Sequence, residues 1–167
     1  MAGDHRRVRS PGGRASPDGA HPDPRRSDPL LTPVVIALGS NLGEREANLE
    51  RGLQLLSEAV RWERVSTFLE SAPMYETDQP TFLNAVAKGE TAMGPIALFR
   101  MLKAVEQAVG RTPGPRYGPR VLDLDLIQYG VLELRSDVAE GLVVPHPHAR
   151  ERDFVMTPWR EIDASVV

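Results

Sequence analysis

Two aspartates stand two residues apart in an otherwise apolar stretch, where Asp123 and Asp125 alternate with the leucines at 122, 124 and 126. Alternate residues of a β-strand share a face, so we predict both carboxylates on one side and the leucines in the core. Neighbouring carboxylates repel each other and both stay ionised when cations lie between them. Magnesium is commonly held by one or two carboxylates together with substrate phosphates. By itself, the pair is equally consistent with two solvated acids on an exposed strand.

The segment just before this pair is basic, because Arg111, Arg116 and Arg120 lie in a stretch from 110 to 121 that contains no acid. Each guanidinium offers a planar fork of donors that fits phosphate oxygens. A basic loop beside paired acids therefore predicts a triphosphate bracketed by metal ions and arginines.

A second candidate group combines an aromatic ring with an amide, since Phe82 and Asn84 share one face of a predicted strand. An aromatic face can stack on a flat heterocycle, and the amide beside it can donate and accept hydrogen bonds along the ring edge. The alternative is a core phenylalanine next to a strand-end asparagine. For Phe82 alone, that alternative is favoured.

The segment 144–154 carries the third group, with His146, Arg150, Arg152 and Phe154. The histidine and the arginines are candidates for phosphate contacts, and Phe154 is a candidate for a second stacking wall. Prolines are interleaved with the two histidines of this segment, and the spacing does not suit a transition metal, so we assign His148 to the surface.

The elements that must position these groups follow from apolar periodicity and from proline and glycine breakers. The pattern predicts strand, helix, strand, strand, helix, strand. That order is typical of a ferredoxin-like βαββαβ fold of the α+β class, an antiparallel sheet with helices packed on one face. The predicted strands are 34–38, 64–71, 81–91, 121–129 and an edge strand at 131–134; the helices are 44–60 and 95–109, with a short helix near 149 in the irregular stretch 143–158.

Composition sets the outer limits of the interpretation. The 167 residues are 41% hydrophobic and 26% charged, include no cysteine and carry a net charge of −3. These values favour one globular domain without thiolate chemistry and give no general attraction to nucleic acid or membranes. Residues 1–32 are rich in Arg, Pro, Gly and Asp and predict a disordered tail before a domain at 33–167. No secretory signal is recognisable, so we expect a cytoplasmic protein.

Three of these segments, together with ALGSNLG at 37–43, resemble the 6-hydroxymethyl-7,8-dihydropterin pyrophosphokinase family. RVLDLDLI at 120–127, following RYGP at 116–119, is highly specific to that family, and DQPTFLN at 78–84 is an independent match. The resemblance covers about residues 33–162. It implies transfer of pyrophosphate from ATP to a hydroxymethyl pterin in folate synthesis.

The resemblance also assigns roles residue by residue. The family's paired aspartates bind two Mg²⁺ ions, and its flexible arginine loop closes over ATP; a pterin lies between two aromatic rings. The implied metal ligands are Asp123 and Asp125; the catalytic cations are Arg111, Arg116 and Arg120; the pterin contacts are Ser71, Met74, Phe82, Asn84 and Phe154; and the ATP contacts are Glu106, Tyr117, His146 and Arg152.

The implied chemistry is attack of the pterin hydroxyl on the β-phosphorus of ATP, with AMP as the leaving group. Phosphoryl transfer depends mainly on positioning and charge stabilisation, so the lack of an evident general base is acceptable. We expect small-molecule substrates only, no nucleic acid or membrane partner, and a monomer.

Three alternatives remain open from the residues themselves. A metal-dependent Asp-x-Asp glycosyltransferase would need a larger nucleotide-sugar domain than about 135 residues provide. A non-catalytic ferredoxin-like module that binds RNA would need exposed aromatics and a basic face. The third is an inactive pterin-binding homologue, against which the intact aspartate pair argues.

Overall fold

The computed structural model describes residues 30–110 and 114–167, so the predicted tail lies almost wholly outside the described residues, as does Arg111. The main sheet has the strand order β2-β4-β1-β5, and β3 also pairs with β4. Every pairing in it is antiparallel. The elements are β1 (Thr32–Ser40), α1 (Arg45–Leu56), β2 (Val60–Val65), β3 (Leu69–Ser71), β4 (Phe82–Thr91), α2 (Pro95–Val109), β5 (Asp123–Tyr129), β6 (Leu134–Arg135), β7 (Val143–Val144) and α3 (Asp153–Ile162).

The larger core lies between the sheet and helices α1 and α2. From the sheet it takes alternate residues of the central strand, such as Ile36 and Leu38, and Leu124 of β5. From the helices it takes Leu49 and Leu98, which are completely buried. This arrangement confirms the ferredoxin-like α+β prediction, because the period-two pattern of the strands meets the apolar stripes of both helices.

The opposite face of the sheet carries helix α3, which the sequence analysis did not predict. Val155, Met156, Trp159 and Ile162 pack on the residues that point away from the larger core, such as Val86. The expectation that all helices share one face was therefore wrong. Pro158, at the end of the predicted irregular stretch 143–158, lies inside this helix.

Two predicted strand boundaries also differ from the structure. The predicted strand 64–71 is divided into β2 and β3, because the Ser66 hydroxyl accepts a hydrogen bond from the Val86 amide (3.0 Å) where the strand ladder would continue. The predicted edge strand at 131–134 is displaced to β6, which pairs with β7 in a separate two-stranded sheet. None of the helices in residues 30–110 and 114–167 is long and apolar enough to cross a membrane.

Candidate active site

A cavity of about 310 Å³ opens at one end of the sheet, on the face covered by α3. It is formed where β1 ends, β4 and β5 begin, and α3 starts. Twelve of the fourteen predicted site residues line it, together with Tyr75 and Gln79, which were not predicted. The twelve are Ser71, Met74, Phe82, Asn84, Arg116, Tyr117, Arg120, Asp123, Asp125, His146, Arg152 and Phe154.

Gly39 forms the floor between the two predicted groups. It pairs with Asn84 on one side and with Asp123 on the other, so the amide and the carboxylate lie in one row across three strands. A Cβ at this position would lie 3.5 Å from Asn84 Oδ1 and 3.6 Å from Phe82 Cδ1. The missing side chain leaves room for a flat group above the sheet.

Asn84 is buried, and its amide nitrogen is engaged by the neighbouring strand. Nδ2 donates to the Leu69 carbonyl (3.1 Å) and to Ser71 Oγ (2.7 Å). These contacts fix the orientation of the amide and direct its oxygen towards the space above Gly39. Asn84 thus presents an acceptor to the cavity, beside the ring of Phe82.

Asp123 and Asp125 point to the same face, as predicted, because Leu124 between them lies in the larger core. Burial, and then the charge of Asp123, raise the pKa of the Asp125 carboxyl to about 7. Lys103 and Arg152 oppose that shift. A cation beside this carboxylate would stabilise its ionised form and lower its pKa.

A second cavity of about 180 Å³ adjoins the first and shares Asp125 and His146 with it. Its wall also includes Phe99 and Lys103 of α2 and the segment 140–143. The Lys103 ammonium donates to the Leu124 carbonyl (3.2 Å) and to Glu106 Oε1 (3.1 Å). Sequence reasoning missed Lys103; its position three residues before Glu106 on the same helix is the signal that could have found it.

His146 is held as a neutral ring. Burial and the nearby Arg152 lower its pKa to about 4. Its Nδ1 accepts a hydrogen bond from the His148 amide (3.2 Å), so the proton of the neutral ring is assigned to Nε2, which remains a donor. Arg152 supplies another donor, because its buried Nε has no hydrogen-bond partner among the described residues.

Hydrogen bonds from the Asn41 side chain hold the loop that carries Arg116 and Arg120. Asn41 Oδ1 accepts from the Arg120 amide (2.7 Å), and its Nδ2 donates to Gln79 Oε1 (2.9 Å) and the Pro80 carbonyl (3.0 Å). Asn41 does not cap α1, because Glu44 occupies the cap position, without a side-chain hydrogen bond. The Arg120 guanidinium lies on carbonyls of its own loop, including that of Pro115 (3.0 Å).

Glu106 differs from the other predicted contacts, because it does not line either cavity. It is buried, and its carboxylate accepts from the Leu124 amide (2.8 Å) between the two aspartates. Its place in the structure is behind β5, where it fixes the strand that carries Asp123 and Asp125. Arg150, considered above for a phosphate contact, instead donates to the Val167 carbonyl (2.8 Å).

The sequence model of the 7,8-dihydro-6-hydroxymethylpterin-pyrophosphokinase (HPPK) family matches residues 35–164. The chain belongs to this family. An HPPK relative from Bacillus subtilis, a 2-amino-4-hydroxy-6-hydroxymethyldihydropteridine pyrophosphokinase, is 39% identical over 131 residues, which are 77% of each chain. The mitochondrial folate synthesis bifunctional protein of Pisum sativum is 45% identical over 130 residues. These residues are 77% of this chain but 25% of the pea protein, so the chain spans about a quarter of that relative's length.

Solved HPPK-DHPS structures share the fold. The HPPK-DHPS A437G protein of Plasmodium falciparum with pteroate superimposes with a TM-score of 0.60 at 12% identity, over 80% of this chain and 40% of that one. An HPPK-DHPS structure in complex with substrates gives a TM-score of 0.63 at 12% identity, over 80% of this chain and 41% of that one. Because the identities are low, these superpositions support the architecture alone.

Proposed function

We propose that this HPPK-family chain transfers the pyrophosphoryl group of ATP to the hydroxymethyl group of 6-hydroxymethyl-7,8-dihydropterin, a step in folate synthesis. The observation that carries the proposal is the position of Asp125. It lies in the walls of both cavities, beside Asp123 in the larger one. A site with two compartments joined at an acidic pair suits two substrates that meet at a metal-bound phosphate.

The larger cavity suits the pterin. The rings of Phe82 and Phe154 come from the sheet and from α3 and line the same space. Asn84 presents its oxygen above Gly39, where it can accept from an N–H on the edge of a heterocycle. Flat aromatic walls with one directed polar group are typical of heterocycle sites.

The smaller cavity suits the nucleoside end of ATP, with the phosphates directed towards the aspartate pair. Lys103, His146 and Arg152 stand around that junction and offer donors to phosphate oxygens. Arg116 and Arg120, in the loop before β5, line the larger cavity. We include Arg111 in this set by its position in the sequence.

Magnesium fits the residues present. Asp123 and Asp125 supply hard oxygen ligands, and a cation beside them would oppose the burial and the Asp123 charge that raise the pKa of Asp125. No group of three or more His, Asp or Glu residues suited to a metal occurs in the described part of the chain, so phosphates and water would complete the coordination. Bound Mg²⁺, with two ions expected, would neutralise phosphate charge and help to align the triphosphate.

In the proposed reaction the pterin hydroxyl oxygen bonds to the β-phosphorus, the bond from that phosphorus to the α,β-bridging oxygen breaks, and AMP leaves. The hydroxyl proton passes to solvent or a phosphate oxygen. The chain binds and aligns both substrates, and its arginines stabilise the charge that develops on the phosphates. Tyr75 and Tyr117 line the same cavity, and with substrates bound they would limit access of water, which would otherwise hydrolyse ATP.

The direct assay is incubation of the purified chain with 6-hydroxymethyl-7,8-dihydropterin, ATP and Mg²⁺. We expect one AMP for each pterin consumed, and no AMP when the metal is chelated or the pterin is omitted. Asp137→Asn changes an exposed aspartate outside both cavities and is the matched control for variants of the acidic pair. Formation of ADP, or pterin binding without any turnover, would contradict the proposal.

A further inference from the structure

Two tyrosines from different loops meet at the edge of the larger cavity. The ring centroids of Tyr75 and Tyr117 are 4.2 Å apart, with an angle of 36° between the ring planes. Tyr75 lies in the loop between β3 and β4, and Tyr117 lies in the loop before β5. The two residues are 55% and 44% exposed, so neither is buried in the core.

The backbone around this pair supports the same contact. Gln79, four residues after Tyr75, donates through Nε2 to the Tyr117 carbonyl (2.9 Å) and to the Glu76 carbonyl (2.6 Å). Tyr117 has a φ angle of 61°, which is unfavourable for a residue with a side chain. Such a conformation persists when its surroundings hold it in place.

The contact extends to a cation of the proposed site. The Arg116 guanidinium carbon lies 4.9 Å from the centroid of the Tyr117 ring. Tyr75, Tyr117 and Arg116 thus form a row that continues the cavity wall. A displacement of Tyr117 would move the arginine with it.

We propose that Tyr75 is a positioning residue for the transfer reaction, whose ring holds Tyr117 and thereby keeps Arg116 and Arg120 over the cavity. This inference rests on the proposed function. Contact between two exposed rings favours the state in which they touch by about two- to tenfold, so the contact forms and breaks readily. We call this contact of Tyr75 with Tyr117 the clasp. Because the clasp is weak, it is compatible with entry and release of substrates.

Steady-state kinetics of Tyr75→Ala, Tyr75→Phe, Tyr117→Ala and the double alanine variant test the clasp. We expect Tyr75→Ala to lower kcat/KM for ATP by about two- to tenfold. Tyr75→Phe should stay within about twofold of the wild type, because the ring remains. Tyr117→Ala should cause a similar loss, and the double variant should lose no more than the larger single loss, because both changes remove one contact.

Two further measurements separate positioning from direct binding. The Kd for the pterin without nucleotide should rise in Tyr75→Ala by less than the loss in kcat/KM for ATP, because the proposed pterin contacts are Phe82, Asn84 and Phe154. Hydrogen exchange should become faster in peptides covering 114–120, while Thr77→Ala, an exposed change in the same loop, should leave exchange as in the wild type. Equal unfolding midpoints of the variants check that the fold is retained.

Additive losses in the double variant, wild-type kinetics for Tyr75→Ala, or a raised pterin Kd with unchanged kcat/KM for ATP would each overturn the clasp. Failure of the proposed function has a different result, since the wild type itself would then form no AMP from ATP and the pterin.

Discussion

The Asn84 side chain divides its hydrogen bonds between the strand beside it and the cavity. Its nitrogen donates hydrogen bonds to the Leu69 carbonyl and to Ser71 Oγ, and its oxygen is an acceptor above Gly39. A substrate that donates to this oxygen would lose that bond when the amide is removed. The neighbouring ring of Phe82 would keep its stacking surface.

Asn84→Ala is therefore expected to raise the Kd for the pterin by about tenfold or more, and the Kd for ATP by less than about twofold. Calorimetric titration of each ligand measures both values. Thr77→Ala, a change at an exposed residue outside the walls of both cavities, is the control. Equal weakening of the two ligands in Asn84→Ala would refute this pterin site.

Asp125 gives a prediction at the same scale for the metal. Asp125→Asn removes the charge and one hard ligand while keeping the shape, so we expect kcat/KM with saturating Mg²⁺ to fall by about a hundredfold or more. Asp137→Asn should retain wild-type activity. Magnesium-dependent AMP formation at an undiminished rate in Asp125→Asn would exclude this carboxylate as a ligand.

The raised pKa of Asp125 also predicts the pH dependence of stability. With a pKa of about 7 in the folded chain and 3.8 ordinarily, the native state binds more protons than the unfolded state between these values. The contribution of Asp125 to the free energy of unfolding therefore falls as the pH rises from about 4 to about 7. His146, with its pKa lowered to about 4, has the opposite effect, because its native state binds fewer protons below pH 6.5.

Comparison of wild type with Asp125→Asn in the absence of metal isolates the carboxyl from His146. The free energy of unfolding of the variant should equal that of the wild type near pH 4 and exceed it by more than about 1 kcal/mol at pH 8. Urea denaturation at a series of pH values measures this difference. A constant difference across the series would be inconsistent with the raised pKa.

Among the elements, those bounded by proline or glycine, or marked by regular alternation of polar and apolar residues, could be predicted from the sequence. Helix α2 begins at Pro95 and is followed by Gly110, and the alternation around Asp123 fixed both the strand and the face of the two aspartates. Helix α3 has neither a proline at its start nor a glycine after its end, and the stretch 143–158 is predicted to be irregular. The helical spacing of Val155, Met156, Trp159 and Ile162 was the overlooked signal.

The second cavity could not be predicted from local pattern. Lys103 of α2 and the segment 140–143 are far apart in the chain and meet only because the two-stranded sheet folds against β5. Glu106 shows the same limit, since the sequence indicates an acid on α2 but not whether it faces a ligand or the backbone of Leu124.

The close approach of β2 and β4 gives a prediction at the scale of elements. A Cβ at Gly89 would lie 2.4 Å from the Arg61 carbonyl oxygen, a backbone atom that cannot move aside alone. Gly89→Ala should lower the free energy of unfolding by about 1–3 kcal/mol. Gly94→Ala, where a Cβ meets no atom within 4 Å, should change it by less than about 1 kcal/mol. Similar urea midpoints for the two variants would contradict this packing.

At the scale of the whole molecule, the site lies where the sheet, α3 and two loops meet. The ferredoxin-like core of β1, β4, β5, α1 and α2 fixes the floor and the aspartate pair, while α3 adds Phe154 and brings Arg152 close on the second face. The fold alone serves many chemistries. The combination of an aromatic cavity, a second cavity and an acidic pair between them suits the proposed transfer between a heterocycle and a nucleotide.

The fate of the phosphorus atoms tests that claim most directly. Phosphorus-31 NMR of a reaction with 6-hydroxymethyl-7,8-dihydropterin, ATP and Mg²⁺ distinguishes the bonds that break. The account predicts an AMP singlet together with two coupled resonances of a pterin diphosphate in equal amounts. A pterin monophosphate with ADP would show transfer of the γ-phosphate alone and would contradict it.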